Sequence, residues 1–352
     1  MDSSRPSRLR GYLFFEEPLE RDQNIESTFQ KIRKFRLHPR LATVLKIIVA
    51  LVLLIALIVY VDVKALRQSI RTANVLYLTI GAVLVVVNVG LQFLRWRYLL
   101  RLIASEISDT EILTSLLIGF SAGFFTPGQV GEHGGRMVSL SSMKSIQVLA
   151  ASLIDKIYIL AVTIIAGVVG VWLYFEMFLP QYWTPLFTLV VAAIVVSFLI
   201  VVLYPDLLKK VLRLVLHKVR KYRAVSAFLF VKDVFHRRQA RILLLLTFIF
   251  YLVVLVQYHL FVLAFAPVSL GVSALCTSNI LFIKAAILPI SLGDLGIRES
   301  TAIFFFTRAG VPAAAALNAS LCVFFINILL PSLLGAIMVL RLKTAGKKSV
   351  PR

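Results

Sequence analysis

No Asp, Glu, Lys or Arg occurs in residues 72–94, 157–175, 177–205, 242–283 or 309–340. Crossing the hydrocarbon core of a bilayer takes about 20 apolar residues in a helix. Each run is close to that length or beyond it, and the run from Ile242 is long enough to do more than cross once. A soluble core has no need of several such runs in succession. Only 16% of the residues are charged, against ~25% in an average soluble domain. The chain therefore reads as an all-α polytopic integral membrane protein.

Spans are expected at about 42–61, 75–94, 148–174, 186–204, 242–266 and 313–340. Residues 1–41 form a charged tail, in which Phe29, Ile32 and Phe35 fall at helical spacing among Lys31, Arg33, Lys34 and Arg36. That pattern suits either a solvated tail or a helix lying on a membrane surface. The first apolar run begins only near Leu41, so no cleavable signal peptide is expected. Residues 343–352 form a second basic tail. A basic segment at 205–241 carries Leu208, Val211, Leu212, Val215 and Val219 as one stripe of helical period, the mark of an interfacial helix.

The net charge of +21 sits mainly between the spans. There it acts as an orientation signal and a contact to anionic headgroups. No nucleic-acid-binding motif accompanies it, and nucleic acid is excluded as a partner. Basic residues collect in the tails, around Arg95, Arg97 and Arg101, and in 205–241, which places both termini in the cytoplasm of a cell membrane. The loop 62–71 carries three basic residues and fits the outer face less well.

With that orientation, the second span ends inside and the third starts inside. Residues 112–130 must then enter and leave by the cytoplasmic face. By the same reasoning residues 274–307 must enter and leave by the outer face. Two oppositely oriented re-entrant hairpins are expected beside about six full spans.

The two hairpins share a motif. Pro127, Gly131, Glu132, Gly134 and Arg136 recur in register as Pro289, Gly293, Asp294, Gly296 and Arg298. The flanking elements also match, as 75–174 and 242–340, and the copies start in opposite directions. Paired breaks in two inverted halves mark a site near the midplane in many transporters.

Proline ends a half-helix, and glycine permits a tight reversal; Pro127, Gly128, Gly134, Pro289 and Gly296 are the expected break points. A following half-helix offers free N–H groups to an anion. Arg136 and Arg298 add planar forks suited to phosphate. Glu132 and Asp294 either hold those arginines or merely shape the turns as pairs four residues apart. Gly131 and Gly293 let a headgroup approach the backbone. Lys284 is either an additional cation or a snorkelling side chain. His133 and Glu299 are candidate proton carriers. Asp155 and Lys156 are expected as an interfacial pair. The two cysteines, Cys276 and Cys322, read as packing residues. No metal-ligand spacing, Walker loop or nucleophile elbow occurs, so no cofactor is expected.

Phe125-Thr126-Pro127-Gly128-Gln129-Val130-Gly131-Glu132 with Arg136, and residues 288–299 with Ala309-Gly310-Val311, resemble the lysylphosphatidylglycerol synthase transmembrane-region, or flippase-like domain, family. The resemblance covers about 42–342. It implies a domain that moves lipids with charged headgroups between leaflets, or that assists pathways using lipid carriers. No aminoacyl-transfer domain follows Leu342 in this sequence, so lysyl transfer is not implied. The leading expectation is a flippase for a phospholipid, aminoacyl-phospholipid, glycolipid or polyprenyl phosphate. An intramembrane enzyme on lipid phosphates, and a scaffold for a membrane glycosyltransferase or lipid synthase partner, are the alternatives.

Overall fold

The computed structural model describes residues 48, 52, 54–126, 129–140, 143–178, 180, 185–204, 236–287 and 295–348. Of the two units into which the chain divides, Met1–Ala42 lies outside this set; everything below belongs to Thr43–Arg352. The expected tail segment, half of the first expected span, the expected interfacial stripe in 205–219 and the loop residues Pro127, Gly128, Pro289, Gly293 and Asp294 also lie outside it.

The described residues contain helices and no strand. In chain order they are α1 (Val63–Arg71), α2 (Val75–Arg101), α3 (Asp109–Phe124), α4 (Val130–Ser139), α5 (Ser145–Phe178), α6 (Pro185–Leu203), α7 (Arg237–Phe265), α8 (Leu270–Ala286), α9 (Ile297–Arg308), α10 (Ala313–Phe324) and α11 (Leu330–Lys348), the last two joined by a π turn over Phe325–Leu329. Four stretches are long and apolar enough to cross a membrane: Val75–Arg101, Ser145–Phe178, Arg237–Phe265 and Ala313–Arg341. They match the second, third, fifth and sixth expected spans. The fourth falls on α6, whose described apolar stretch, Thr188–Ser197, is shorter than a crossing.

The segment 62–71, expected as a loop, is instead helical from Val63. Asp62 caps it by accepting from the Lys64 amide at 3.0 Å. Leu66 provides its one buried side chain, packed near Val61 and Leu317. Charged residues surrounding a single apolar anchor disguise such a helix as a loop.

Both expected hairpins consist of two short arms. Ser108 caps α3 in a reciprocal box with Glu111, which fixes where the first arm begins. Ser269 caps α8 by accepting from the Val272 amide. The displacement that carries Arg136 onto Arg298 also carries α2 onto α7 and α3 onto α8, nearly end for end.

α2 and α7 run antiparallel. The Asn74 amide donates to the Ala264 carbonyl at 2.7 Å, Gln257 Nε2 donates to the Gly81 carbonyl at 2.8 Å, and Arg95 lies over the Phe250 ring. Amide side chains tie this pair together where water is scarce. Gln257 Oε1 accepts from Asn327 at 2.7 Å and from Asn88 at 3.4 Å, and Asn88 Oδ1 accepts from Gln92 at 2.8 Å. Asn327 belongs to the π turn, a local widening that often carries function.

The hairpin arms are exchanged between the halves. α3 packs on α11, and α8 packs on α5. Small residues make both approaches close, as membrane helices require. At Gly335 of α11 a side chain would collide with the Leu117 carbonyl of α3; at Gly167 and Gly170 of α5 it would collide with Phe282 and Asn279 of α8.

Candidate functional site

The first hairpin closes on a threonine. Thr126 Oγ1 donates to the Ala122 carbonyl at 3.1 Å and accepts from the Gly131 amide at 2.7 Å. A side chain at Gly131 would overlap both Ala122 and Thr126, so glycine is required there by the packing of the turn. Gln129, just before α4, takes a left-handed conformation at φ 56°.

Glycines also decide where the charges sit. A Cβ at Gly119 would lie 2.8 Å from Arg136 Cγ, and one at Gly123 would lie 3.2 Å from Glu132 Cβ. Two glycines one turn apart on α3 thus leave room for the acid and the arginine one turn apart on α4. Gly135 completes the contact: its Cβ would come within 2.8 Å of the Ile118 carbonyl. Gly134, expected as a break point, lies inside α4 on an open face. Its neighbour does the packing.

Arg136 is buried, at 2% exposure. Its Nη2 donates to Glu132 Oε1 at 2.6 Å, its Nη1 donates to Asp155 Oδ2 at 3.3 Å, and its guanidinium lies 4.4 Å from the Trp96 ring centre. Trp96 is itself oriented by Ser115, whose Oγ accepts the indole N–H at 3.3 Å. Arg95, at 0% exposure, pairs with the other oxygen of Asp155 and donates to its carbonyl at 3.1 Å. Lys156 Nζ donates to Gln129 Oε1 at 2.7 Å and approaches Glu132 Oε2 at 3.4 Å. His133 Nδ1 lies 2.7 Å from Ser152 Oγ.

Asp155 and Lys156 are therefore not paired with each other. Adjacent residues of a helix point about 100° apart, and here Asp155 faces two arginines while Lys156 faces Glu132. Arg95, grouped in the sequence with Arg97 and Arg101, is likewise separated from them. Arg97 and Arg101 hold Asp109 on the exposed side at 2.7 and 2.8 Å, and Arg95 turns inward.

The cluster holds three cations, Arg95, Arg136 and Lys156, against two carboxylates, Glu132 and Asp155. Three of its guanidinium nitrogens, Arg95 Nε and Nη1 and Arg136 Nε, are buried without an acceptor among the described residues. Arg95 and Arg136 are balanced by Glu132 and Asp155 in the interior, and the surplus positive charge is carried by the part-exposed Lys156; open buried donors beside that charge suit an anion.

The second hairpin is built differently. Arg298 Nη2 donates to Glu299 Oε1 at 2.5 Å, and its Nε reaches the same oxygen at 3.1 Å and Ser320 Oγ at 3.2 Å. Glu299 Oε2 accepts from the Gly296 amide at 2.6 Å, and Gly296 has φ 94°, a value natural to glycine. Arg298 thus has Glu299 as its carboxylate among the described residues, in a balanced pair. Asp294 and Gly293 lie outside those residues. Lys284 lies in the last turn of α8.

One ring links the two arginine-bearing hairpins. Phe324 lies 5.3 Å from the Arg298 guanidinium and 6.3 Å from the Phe124 ring at the end of the first arm. The structure brings Glu132, Arg136, Gly131 and His133 together, and adds Arg95, Trp96, Ser152 and Asp155, which sequence reasoning did not assign to the site. An arginine at the end of one charge-free run and an aspartate just before another were the signals for Arg95 and Asp155.

Residues 44–335 match the family model described as lysylphosphatidylglycerol synthase TM region. This chain belongs to that family. The family match spans both hairpins, three of the long apolar helices whole and the fourth as far as residue 335, and it attaches a membrane-lipid context to the buried arginine cluster. No curated protein and no solved structure matches the chain.

Proposed function

We propose that this family member is a lipid transporter that binds the phosphate of an anionic headgroup at Arg95 and Arg136 and passes the lipid between leaflets. One observation carries the reading: the buried arginines of a cluster made net positive by the part-exposed Lys156 keep three guanidinium nitrogens without acceptors among the described residues. A phosphate provides several acceptor oxygens and the missing negative charge. Charge inside a membrane protein is costly enough that function is its default explanation.

The antiparallel pairing of α2 with α7, and the recurrence of long helix, two short arms and long helix in each half, support an inverted repeat with two re-entrant hairpins. In such folds one half rocks against the other about a central site. Glu132 and Asp155 hold the arginines while the site is empty and release part of that pairing when phosphate arrives. Arg298, Glu299, Gly296, Lys284, Gly293 and Asp294 would form the counterpart facing the other leaflet. The acids are engaged with cations, which favours carriage of the lipid over its chemical alteration. The basic tails and headgroup-facing arginines favour a cell membrane with cytoplasmic termini.

The test is exchange of fluorescent phosphatidylglycerol between leaflets of proteoliposomes. Arg136→Ala should slow it at least tenfold, whereas Gly134→Ala, on the open face of α4, should leave it unchanged. Equal exchange by Arg136→Ala and wild type would remove the mechanism.

A further inference from the structure

Away from the arginine cluster, α5, α6, α7 and α8 line an open cleft of about 700 Å³. Its walls are apolar, with Val162, Ala166, Leu173, Leu252 and Leu255 among them. Arg241 is the one charged residue in its lining. That arginine is exposed and has no carboxylate partner among the described residues. It stands near the start of α7, in the basic turn Arg237-Arg238-Gln239-Ala240-Arg241, where the helix changes from charged to apolar.

The cavity has the dimensions of one leaflet. Along α7 its wall rises from Arg241 to Leu255, roughly 21 Å at 1.5 Å per residue. One leaflet is ~20–22 Å thick with its headgroup region, of which ~15 Å is hydrocarbon. A cleft that is apolar along its length and positively charged at one end only is complementary to a molecule with one hydrocarbon chain to insert and a negative group to leave at the mouth. Water has no place in so apolar a space. Ala166, Ala274 and Gly271 are small residues in its lining. At Gly271, on the first turn of α8, an added Cβ meets nothing within 4 Å.

We infer that this cavity is a second lipid site, which holds one acyl chain of an anionic diacyl phospholipid whose phosphate rests on Arg241. It is separate from the transport cluster. Arg241 lies on α7, whereas the cluster is built from α2, α4 and α5, and no residue is shared between them. The occupant is a resident lipid that fills a gap left by the splay of α5 to α8, wedging helices of the two halves at a fixed separation.

The experiment uses the full-length protein in vesicles containing phosphatidylglycerol with a photoreactive group near the end of one chain. Peptide mass spectrometry then locates the adducts. Leu252 and Leu255 should be labelled at least fivefold above Val83 and Val86, which lie exposed on α2. Gly271→Leu, which fills open space, should reduce that labelling at least tenfold, and Arg241→Gln should reduce it several-fold. The same probe built on phosphatidylcholine should label less than the phosphatidylglycerol probe. Arg136→Ala should leave labelling unchanged while stopping leaflet exchange, so the two sites fail independently. Labelling spread evenly over α2 and the cavity, or unaffected by Gly271→Leu, would overturn the site. Displacement by a polyprenyl phosphate but not by unlabelled phosphatidylglycerol would overturn the assignment of its occupant.

Discussion

Asp155 and Arg136 belong to different elements, one to the long helix α5 and the other to the hairpin arm α4, and their side chains meet at 3.3 Å. Because Asp155 also pairs with Arg95, one carboxylate ties a span, a hairpin and a second span together.

Asp155→Asn would leave two buried guanidinium groups sharing only Glu132. Removing one member of a buried pair typically costs about 3–5 kcal/mol. The variant should unfold at a markedly lower temperature in detergent, and added phosphate-headgroup lipid should restore more of that loss than it adds to the wild type. Thermal unfolding with and without phosphatidylglycerol measures both effects.

Arg136→Lys keeps the charge and should still fail. A lysine cannot donate to Glu132 and Asp155 through a planar fork while lying flat over Trp96. Leaflet exchange should fall at least tenfold, with expression near normal; exchange equal to wild type would show that charge alone suffices.

Gly134 and Gly135 are adjacent and should respond oppositely. Gly135→Val drives a branched side chain into the Ile118 carbonyl and should cost about 1–3 kcal/mol. Gly134→Ala meets open space and should gain about 0.5–1 kcal/mol from helix propensity. Unfolding in graded denaturing detergent separates them.

Gln257→Leu removes the acceptor shared by Asn88 and Asn327 and the donor to the Gly81 carbonyl. Such bonds between membrane helices average about 0.6 kcal/mol each, so a loss on the order of 1–2 kcal/mol is expected. Asn88→Leu, which removes fewer bonds, should lose less.

At the exposed end of α3, the hydrogen bond from Arg97, aided by Arg101, holds the Asp109 carboxyl below its usual range. A depressed folded value means that the contribution is present above the ordinary carboxylate range and lost as pH falls through the folded value. Wild type and Asp109→Asn should therefore differ in unfolding temperature at about pH 5 and converge toward about pH 3.

The long helices were legible because charge-free runs of spanning length have one common outcome. The hairpin arms were legible because Pro, Gly, acid, Gly and Arg recurred in register. Arg95 was not: its place beside Arg97 and Arg101 reads as a cluster in one dimension, but α-helical rotation sends alternate residues to opposite faces. Asp155 and Lys156 were misread for the same reason. Glu299 stands next to Arg298 in sequence, a spacing that helix geometry does not favour for pairing. It pairs because Arg298 folds back at the helix start and Ser320 joins both. The helix Val63–Arg71 was hidden by having a single buried anchor.

The exchange of arms has a mechanical outcome. Since α3 leans on α11 and α8 leans on α5, each hairpin is carried by the opposite half of the chain. Under the proposed rocking mechanism, a rotation of one half about the α2–α7 seam would drag the other half's hairpin with it. In that scheme separate levers would permit a half-open, leaking state, whereas crossed ones would act as a single shared gear.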